Sequence, residues 1–253
     1  MRRPVVAGTV LRFGHRWNWF YMRNKRLALC VCVVLLVFLQ AARAAPGGTD
    51  EVLESRPYTM RAALFSALTA HRDFVMLGDS ITASGEWSEL LPDASIANRG
   101  ISGDTTLGML ARLAPVLSMR PAAVFVMAGI NDLRRRRRSV DETLDTYRSV
   151  IEAILRGGSR VVVQSTLLVR LHGREDLNDS VGRLNTKLRD YCGSQDGCEF
   201  VDLNPALSPC GRLASAYTGD GVHLNGAGYL RWSAEIRALV GRIADSQSAS
   251  PMH

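Results

Sequence analysis

Cysteine is scarce in this chain of 253 residues, which contains only five, and none stands at zinc-ligand spacing from a histidine. We therefore expect no zinc-finger module. The chain also has no basic segment with interleaved aromatic residues, which argues against a nucleic-acid partner. The composition is that of an ordinary globular protein, with 47% hydrophobic and 22% charged residues. The chain is long enough for one α/β domain.

Acidic residues are absent from residues 1–44, which hold eight basic residues. The formal net charge of +7 therefore comes from this segment, because the rest of the chain has 23 basic and 24 acidic residues. The basic character does not indicate a nucleic-acid-binding surface.

The same segment has the pattern of a secretory signal peptide. Residues 23–26 are positively charged, residues 27–39 are an unbroken apolar run, and Ala42-Arg43-Ala44 is a small-x-small cleavage motif. We expect cleavage between Ala44 and Ala45 and a secreted or periplasmic protein. The apolar run is shorter than the ~20 residues that span a bilayer; an uncleaved signal anchor is the alternative, and translation starts at Met1 or Met22.

The remaining chain divides into three parts. Residues 45–58 are predicted to be a polar linker, residues 59–244 the globular domain, and residues 245–253 a disordered tail. In the domain, short apolar runs alternate with helical patterns. The predicted strands are residues 74–77, 95–97, 123–128, 160–165 and 199–202, and the predicted helices are residues 105–117, 140–155, 181–191 and 228–244.

Two of the strand sequences, AVFVMA and RVVVQS, are continuously rather than alternately apolar. That pattern is typical of strands buried on both faces of a parallel sheet. Strand–helix alternation predicts a doubly wound, five-stranded parallel sheet in a three-layer α/β/α sandwich, with the flavodoxin-like order 2-1-3-4-5. In such a sheet the loops after strands one, two and three meet at the ligand crevice.

Three polar loops follow those strands. Ser80 comes directly after the first strand, where the alternative to a nucleophile is a helix N-cap. Gly103 follows the second strand, and its N–H is a candidate oxyanion donor; the alternative is an ordinary loop glycine. Asn131 follows the third strand and has an amide that can donate to an oxyanion; the alternative is an Asx turn.

A serine nucleophile needs a base. Two of the five histidines lie in the terminal segments, and His71 precedes the first strand. His172 follows the fourth strand and is a candidate, but no acidic residue stands three positions before it. His223 is preferred because Asp220 lies three residues earlier, close enough to bond its Nδ1–H and leave Nε2 for the serine proton.

Four segments in order resemble the SGNH hydrolases, a branch of the GDSL esterases and lipases: residues 75–82 (VMLGDSIT), 100–105 (GISGDT), 129–132 (GIND) and 220–224 (DGVHL). The Gly-x-Ser-x-Gly elbow of α/β-hydrolases is absent. The resemblance implies Ser80 as nucleophile, Asp220 and His223 as its triad partners, and the Ser80 N–H, Gly103 N–H and Asn131 amide as oxyanion hole. It implies no metal and no cofactor.

The resemblance implies a carboxylic ester substrate. The amino-acid sequence around the four segments is most similar to small bacterial relatives of the platelet-activating-factor acetylhydrolase type. This similarity favours a substrate with acetyl or other short acyl groups on a lipid or carbohydrate. The alternatives are a lysophospholipase or thioesterase for longer acyl groups, an O-acyltransferase, and a non-catalytic binding domain. The oligomeric state stays open.

Two further features are left. Cys192 and Cys198 enclose a flexible turn that would allow a disulfide between them in an exported protein, which leaves Cys210 over; the sequence alone leaves this pairing open. Residues 134–138 are five consecutive arginines after the Asn131 loop. They either attract an anionic lipid or polysaccharide or form a solvated charge run.

Overall fold

The computed structural model describes residues 51–248. The predicted signal peptide, residues 1–44, lies outside the described residues. Within the described part, no helix combines the length and apolar character that a membrane span requires.

Five parallel strands form the sheet, in the order β2-β1-β3-β4-β5. They are β1 (Phe74–Gly78), β2 (Ile96–Gly100), β3 (Ala123–Met127), β4 (Arg160–Gln164) and β5 (Cys198–Val201). Phe74 at the start of β1 is opposite Ile96 of β2 on one side and Ala123 of β3 on the other. The predicted fold class and strand order are confirmed, and each predicted strand differs from the observed one by at most three residues at an end.

The helices pack on the sheet as a three-layer α/β/α sandwich. They are α1 (Glu51–Glu54), α2 (Arg56–Ala67), α3 (Ser80–Ala83), α4 (Trp87–Leu90), α5 (Thr106–Ala111), α6 (Leu113–Ser118), α7 (Ile130–Arg134), α8 (Val140–Arg156), α9 (Glu175–Gly193), α10 (Asn204–Leu207) and α11 (Gly226–Ser248). A 3₁₀ turn spans Ser215–Tyr217. Every residue of β1 and β3 is buried, as expected for strands covered by helices on both faces.

A cluster of aromatic side chains fixes the last helix against the first part of the domain. Trp87 lies edge-on to Trp232, with ring centroids 4.6 Å apart, and Tyr229 stacks on Trp232. The Trp232 Nε1–H donates to Gln164 Oε1 at 2.6 Å, so the buried indole has its polar atom satisfied. This packing sets where the start of α11 lies.

The prediction of one helix over residues 105–117 is wrong, because the helix breaks at Arg112. Pro115 has no N–H to donate to the Ala111 carbonyl, and its ring would clash with that carbonyl in a continuous helix. The buried Arg112 side chain turns inward to Asp104, Nε to Oδ2 at 2.7 Å. One helix was predicted because Leu107, Leu110, Leu113 and Leu117 follow each other at three- and four-residue steps. In the structure Leu107 is 40% exposed.

The predicted domain limits also need correction. Residues 51–54 and 56–58, expected to be linker, are helical, and Tyr58 is buried with Phe65 and Ile101 in a small second core. A proline at the start of α2 favours this helix, because the first turn needs no N–H at that position. At the other end α11 continues to Ser248, into the predicted tail.

The structure contains the disulfide that the sequence left open. Cys192 in the last turn of α9 is bonded to Cys198 at the start of β5. Cys210 is exposed and is the one free cysteine of the described residues.

Candidate active site

Ser80 lies at the carboxyl end of β1, as the first residue of α3. Asp79 caps this short helix: its Oδ1 accepts a hydrogen bond from the Ile81 N–H at 2.9 Å. The helix is held from the far end of the chain as well, because the Tyr229 hydroxyl donates to the Ile81 carbonyl at 2.6 Å. The serine is therefore fixed by both its own strand and α11.

His223 reaches Ser80 from the loop before α11. Its Nε2 is 3.0 Å from Ser80 Oγ, and its Nδ1 is 2.6 Å from Asp220 Oδ2. With Asp220 ionised, Nδ1 carries the hydrogen and Nε2 is left to accept the serine proton. The structure brings together Ser80, Asp220 and His223 in the arrangement predicted from the sequence.

The Asp220 carboxylate is held ionised by its hydrogen bonds. Partial burial would raise its pKa, but the His223 side chain and the N–H groups of Val222 and His223 all donate to it. The net effect lowers the pKa of Asp220 below its ordinary value. The orienting acid is therefore negatively charged across the neutral pH range.

Gly221 attaches this loop to the rest of the domain. Its φ is +81°, and its carbonyl accepts the Arg170 N–H at 2.7 Å. A Cβ at this position would clash with the Arg170 carbonyl. The position therefore requires glycine, both for the left-handed backbone and for the close approach of a neighbouring chain segment.

Two of the predicted oxyanion donors are backbone N–H groups. Among residues 51–248, the N–H groups of Ser80 and Gly103 are hydrogen-bonded to no protein acceptor. Gly103 has a φ of +79°. If a Cβ were added to Gly103, the one heavy atom within 4 Å of it, outside its chain neighbours, would be Arg135 Nη1, at 3.7 Å. Unpaired N–H groups at such a turn are what an oxyanion hole requires.

Asn131, the third predicted donor, is 4% exposed. Its Nδ2 donates to the Asp104 carbonyl at 3.0 Å and approaches Asp79 Oδ2 at 3.4 Å. The second distance is at the outer limit for a hydrogen bond. One N–H therefore fixes the amide to the Gly103 loop, and the other is held only weakly, near Ser80.

Three buried carboxylates behind the site were missed by the sequence reasoning. They are Asp79, Asp104 and Asp132, each 1% exposed or less. Burial raises the pKa of Asp79 to about 7 and that of Asp104 to about 6, and it raises the pKa of Asp132 as well. All three lie in the loops that follow β1, β2 and β3, and this shared position was the available sign.

Each of these carboxylates has a defined partner. Asp104 pairs with Arg112, and Asp132 accepts from the Thr106 N–H and hydroxyl and from Arg138 Nη1 at 3.3 Å. Because hydrogen bonds to an ionised group are strong, these contacts tie the second and third loops together. The result is a rigid base under Gly103 and Asn131.

His172, the other candidate base, does not contact Ser80. It is exposed and lines a cavity of about 490 Å³ together with Glu175 and Cys210. Within the described residues there is no group of three or more side chains placed to hold a metal ion.

The four segments, the fold and the arrangement of Ser80, His223 and Asp220 are those of the GDSL-type lipase and acylhydrolase family. Residues 76–231, more than half of the chain, match the family model of the GDSL-like Lipase/Acylhydrolase family, and the protein belongs to that family. Family membership and the resemblance predicted from the sequence agree.

The chain is similar to several known proteins. It is 30% identical over 136 residues to a thioesterase, protease and lysophospholipase of Escherichia coli; the match covers 51% of this chain and 64% of that relative. A GDSL-like lipase structure from Bacteroides thetaiotaomicron has 26% identity and a TM-score of 0.61, covering 73% of this chain and 97% of that chain.

A third likeness bears on the fold alone. A structure described as a platelet activating factor from Streptococcus pneumonia has a TM-score of 0.67 at 22% identity, and it covers 84% of this chain and 99% of that chain.

Proposed function

We propose that this protein is a carboxylic ester hydrolase that uses Ser80 as nucleophile, His223 as general base and Asp220 as the residue that orients the histidine. The continuous chain of contacts from Ser80 Oγ through His223 to Asp220, at 3.0 and 2.6 Å, carries the proposal. Its family membership supports the same chemistry.

The reaction follows from the geometry. His223 Nε2 takes the Ser80 proton as Oγ attacks the ester carbonyl, and the Ser80 and Gly103 N–H groups stabilise the oxyanion. The second Asn131 N–H turns to the oxyanion as the third donor. His223 then protonates the leaving alcohol, which gives an acyl-serine. Water, deprotonated by His223, attacks the acyl-serine and releases the carboxylic acid, which restores Ser80.

We further propose that the acyl group is short, as in acetyl esters of a carbohydrate or lipid. A long acyl chain needs an apolar channel beside the nucleophile. Four cavities among the described residues, of about 250 to 780 Å³, offer room for a ligand, and none of these four is lined by Ser80 or His223. This arrangement supports an open site for small acyl groups.

A longer acyl group is the second candidate, and the similarity to the Escherichia coli thioesterase and lysophospholipase favours it. A panel of p-nitrophenyl esters and acyl thioesters of increasing chain length separates the two. We expect the highest kcat/KM for acetyl and a steady decline with length; a maximum at long chains would contradict the acetyl proposal. Running the panel with an added sugar acceptor tests for acyl transfer.

The roles of Ser80 and His223 are tested with p-nitrophenyl acetate. Ser80→Ala and His223→Ala should each lower kcat by about 10⁴-fold or more, because the nucleophile and the base act as a unit. His172→Ala is the matched control and should retain activity. Circular dichroism and the melting temperature show that the variants are folded, and near-normal turnover by either Ser80 or His223 variant would contradict the assignment.

We also propose that the protein acts outside the cytoplasm, after cleavage between Ala44 and Ala45. The Cys192–Cys198 disulfide supports this location, because disulfides persist in oxidising compartments. Mass spectrometry of the exported protein tests the cleavage site, and a retained residue 1–44 segment would instead support the signal anchor.

A further inference from the structure

Five arginines line a polar cavity of about 780 Å³. It lies between the segment after α7, the start of α8 and the first half of α9. The arginines are Arg134, Arg137, Arg138, Arg174 and Arg183. Such a concentration of one charge needs either acidic partners in the protein or an anion from outside.

Acidic partners account for only part of this charge. The ion pairs of the cavity wall are Arg138–Asp132 at 3.3 Å, Arg174–Asp176 at 3.3 Å and Lys187–Asp141 at 3.2 Å. These pairs neutralise both aspartates of the wall, and the basic partner of Asp141 lies outside the cavity lining. The wall therefore keeps a positive charge.

The excess belongs to three side chains. Within residues 51–248, Arg134, Arg137 and Arg183 have no ion-pair partner; Arg183 donates only to the Ser180 hydroxyl, at 3.0 Å. Arg137 and Arg183 are exposed, and Arg134 is half-buried. Three guanidinium groups around one hollow provide donors for carboxylate, sulfate or phosphate oxygens.

The arginine-lined cavity adjoins the helix that carries Asn131. Arg134 ends the same short helix that holds Asn131. Arg135 is exposed, and its Nη1 lies 3.7 Å from the place of a Cβ on Gly103, over the proposed oxyanion loop. An anion held in the cavity therefore lies next to the loops that would bind the reacting carbonyl.

Two more cavities adjoin the first on neighbouring faces of α9. The second, of about 750 Å³, shares Arg183 with the first, and the third, of about 490 Å³, shares Asn178 and Gly211 with the second. Together they form what we term the α9 groove. Among its lining side chains, apolar ones are a minority. The first and third cavities are mainly polar, which suits a hydrophilic chain rather than the acyl tails of a lipid, and the second has a more apolar lining.

We propose that the α9 groove binds an anionic polysaccharide and presents its O-acyl groups to Ser80. The inference rests on the proposed esterase activity for its second half, the presentation of the ester. Its first half, binding of the polyanion, stands on the unpaired arginines and the shape of the groove.

Binding is tested first, with the folded Ser80→Ala protein and de-esterified polygalacturonate in affinity electrophoresis. We expect retardation that is lost near 1 M salt, where the screening length falls to about 3 Å. The triple variant Arg134→Gln/Arg137→Gln/Arg183→Gln should bind about tenfold more weakly, since each exposed ion pair contributes modestly. Neutral glucomannan should not retard either protein.

A matched triple variant controls for net charge. Arg56→Gln/Arg120→Gln/Arg160→Gln also removes three exposed arginines, none of which lines the groove. It should bind polygalacturonate as tightly as the parent. Equal weakening in both triple variants would overturn the groove and leave only attraction by net charge.

Catalysis is tested next, with the enzyme that retains Ser80. We expect a higher kcat/KM for acetylated polygalacturonate than for acetylated glucomannan, and the groove variant should reduce this ratio about tenfold through KM. If the enzyme hydrolyses p-nitrophenyl acetate but shows no preference for the anionic polymer, the groove proposal is overturned and the esterase proposal stands. Absence of all hydrolysis would contradict the esterase, while binding would still decide the groove.

Binding of the arginines to an anionic lipid surface is the alternative that the last experiment tests. Vesicles of equal parts phosphatidylglycerol and phosphatidylcholine are used in a sedimentation assay. Binding to these vesicles that depends on the three arginines, without binding to polygalacturonate, would overturn the polysaccharide proposal.

Discussion

The two sides of the Ser80 site are built in different ways. On one side Asp220 and His223 are three residues apart, and their side chains are 56% and 40% exposed. On the other side Asp79, Asp104 and Asn131 come from three separate loops and are at most 4% exposed. The proposed base is thus a local, solvated unit, and the proposed oxyanion hole is a buried, long-range one.

This difference separates two physical requirements. A base must exchange protons with water and substrate, and a short turn holds an imidazole well enough if a carboxylate fixes its tautomer. An oxyanion hole needs donors that do not move, which requires tertiary contacts and low exposure. Substitutions on the exposed side should therefore change activity alone, whereas those on the buried side should change activity and stability together.

The largest effect is expected on the exposed side. Asp220→Asn should lower kcat about 10²- to 10⁴-fold, because an amide no longer specifies the tautomer that leaves Nε2 as acceptor. The melting temperature should change little, since the pair is exposed. Steady-state kinetics with p-nitrophenyl acetate and a thermal melt measure the two effects.

The chain provides a matched control in a second histidine–aspartate pair. His71 Nε2 lies 3.1 Å from Asp73 Oδ1, with side chains 59% and 51% exposed, at the opposite edge of the sheet. Asp73→Asn should leave kcat as in the unaltered protein. Similar losses in both variants would mean that Asp220 has no special role.

A smaller loss of activity, joined to a loss of stability, is expected on the buried side. Asn131→Ala removes a proposed oxyanion donor, which should cost about 10²- to 10³-fold in kcat. It also leaves the buried Asp104 carbonyl without a partner, which should lower the free energy of unfolding by about 1–3 kcal/mol. Kinetics and urea unfolding measure both.

Asn204 separates these two effects. Its side chain bridges backbone groups of Thr166 and Leu168, at 3.0 and 2.9 Å, and makes no contact with Ser80. Asn204→Ala should lose stability on the same scale and keep its activity. If Asn131→Ala loses only stability, the amide is a structural tie and not an oxyanion donor.

The same contrast explains what could be predicted from the sequence. Strands such as β3 and β4 are recognisable because continuous burial imposes continuous apolarity, and the Asp220–His223 pair is recognisable because its partners are neighbours in the chain. The inward turn of Arg112 was not predictable, because leucine spacing favoured one helix through that position. Pro115, which breaks the helix, is visible in the sequence, but the buried partner of Arg112, Asp104, is identified only by the tertiary structure.

The smallest effect is expected at Asp79, through the pH dependence of stability. Burial raises its pKa to about 7, from an ordinary value near 4, so the folded protein keeps a proton between those pH values that the unfolded chain has lost. The contribution of this group to stability is therefore largest below pH 4 and is lost as the pH rises to 7.

Asp79→Asn removes this proton and can keep the acceptor for the Ile81 N–H. Relative to the unaltered protein, the melting temperature of Asp79→Asn should rise by at least about 2 °C as the pH goes from 4 to 8. Asp104 retains its own dependence of the same sign in both proteins, because its pKa is raised to about 6. Parallel curves for the two proteins would show that Asp79 is ionised throughout, and the buried side of the site would then hold a permanent negative charge beside Ser80.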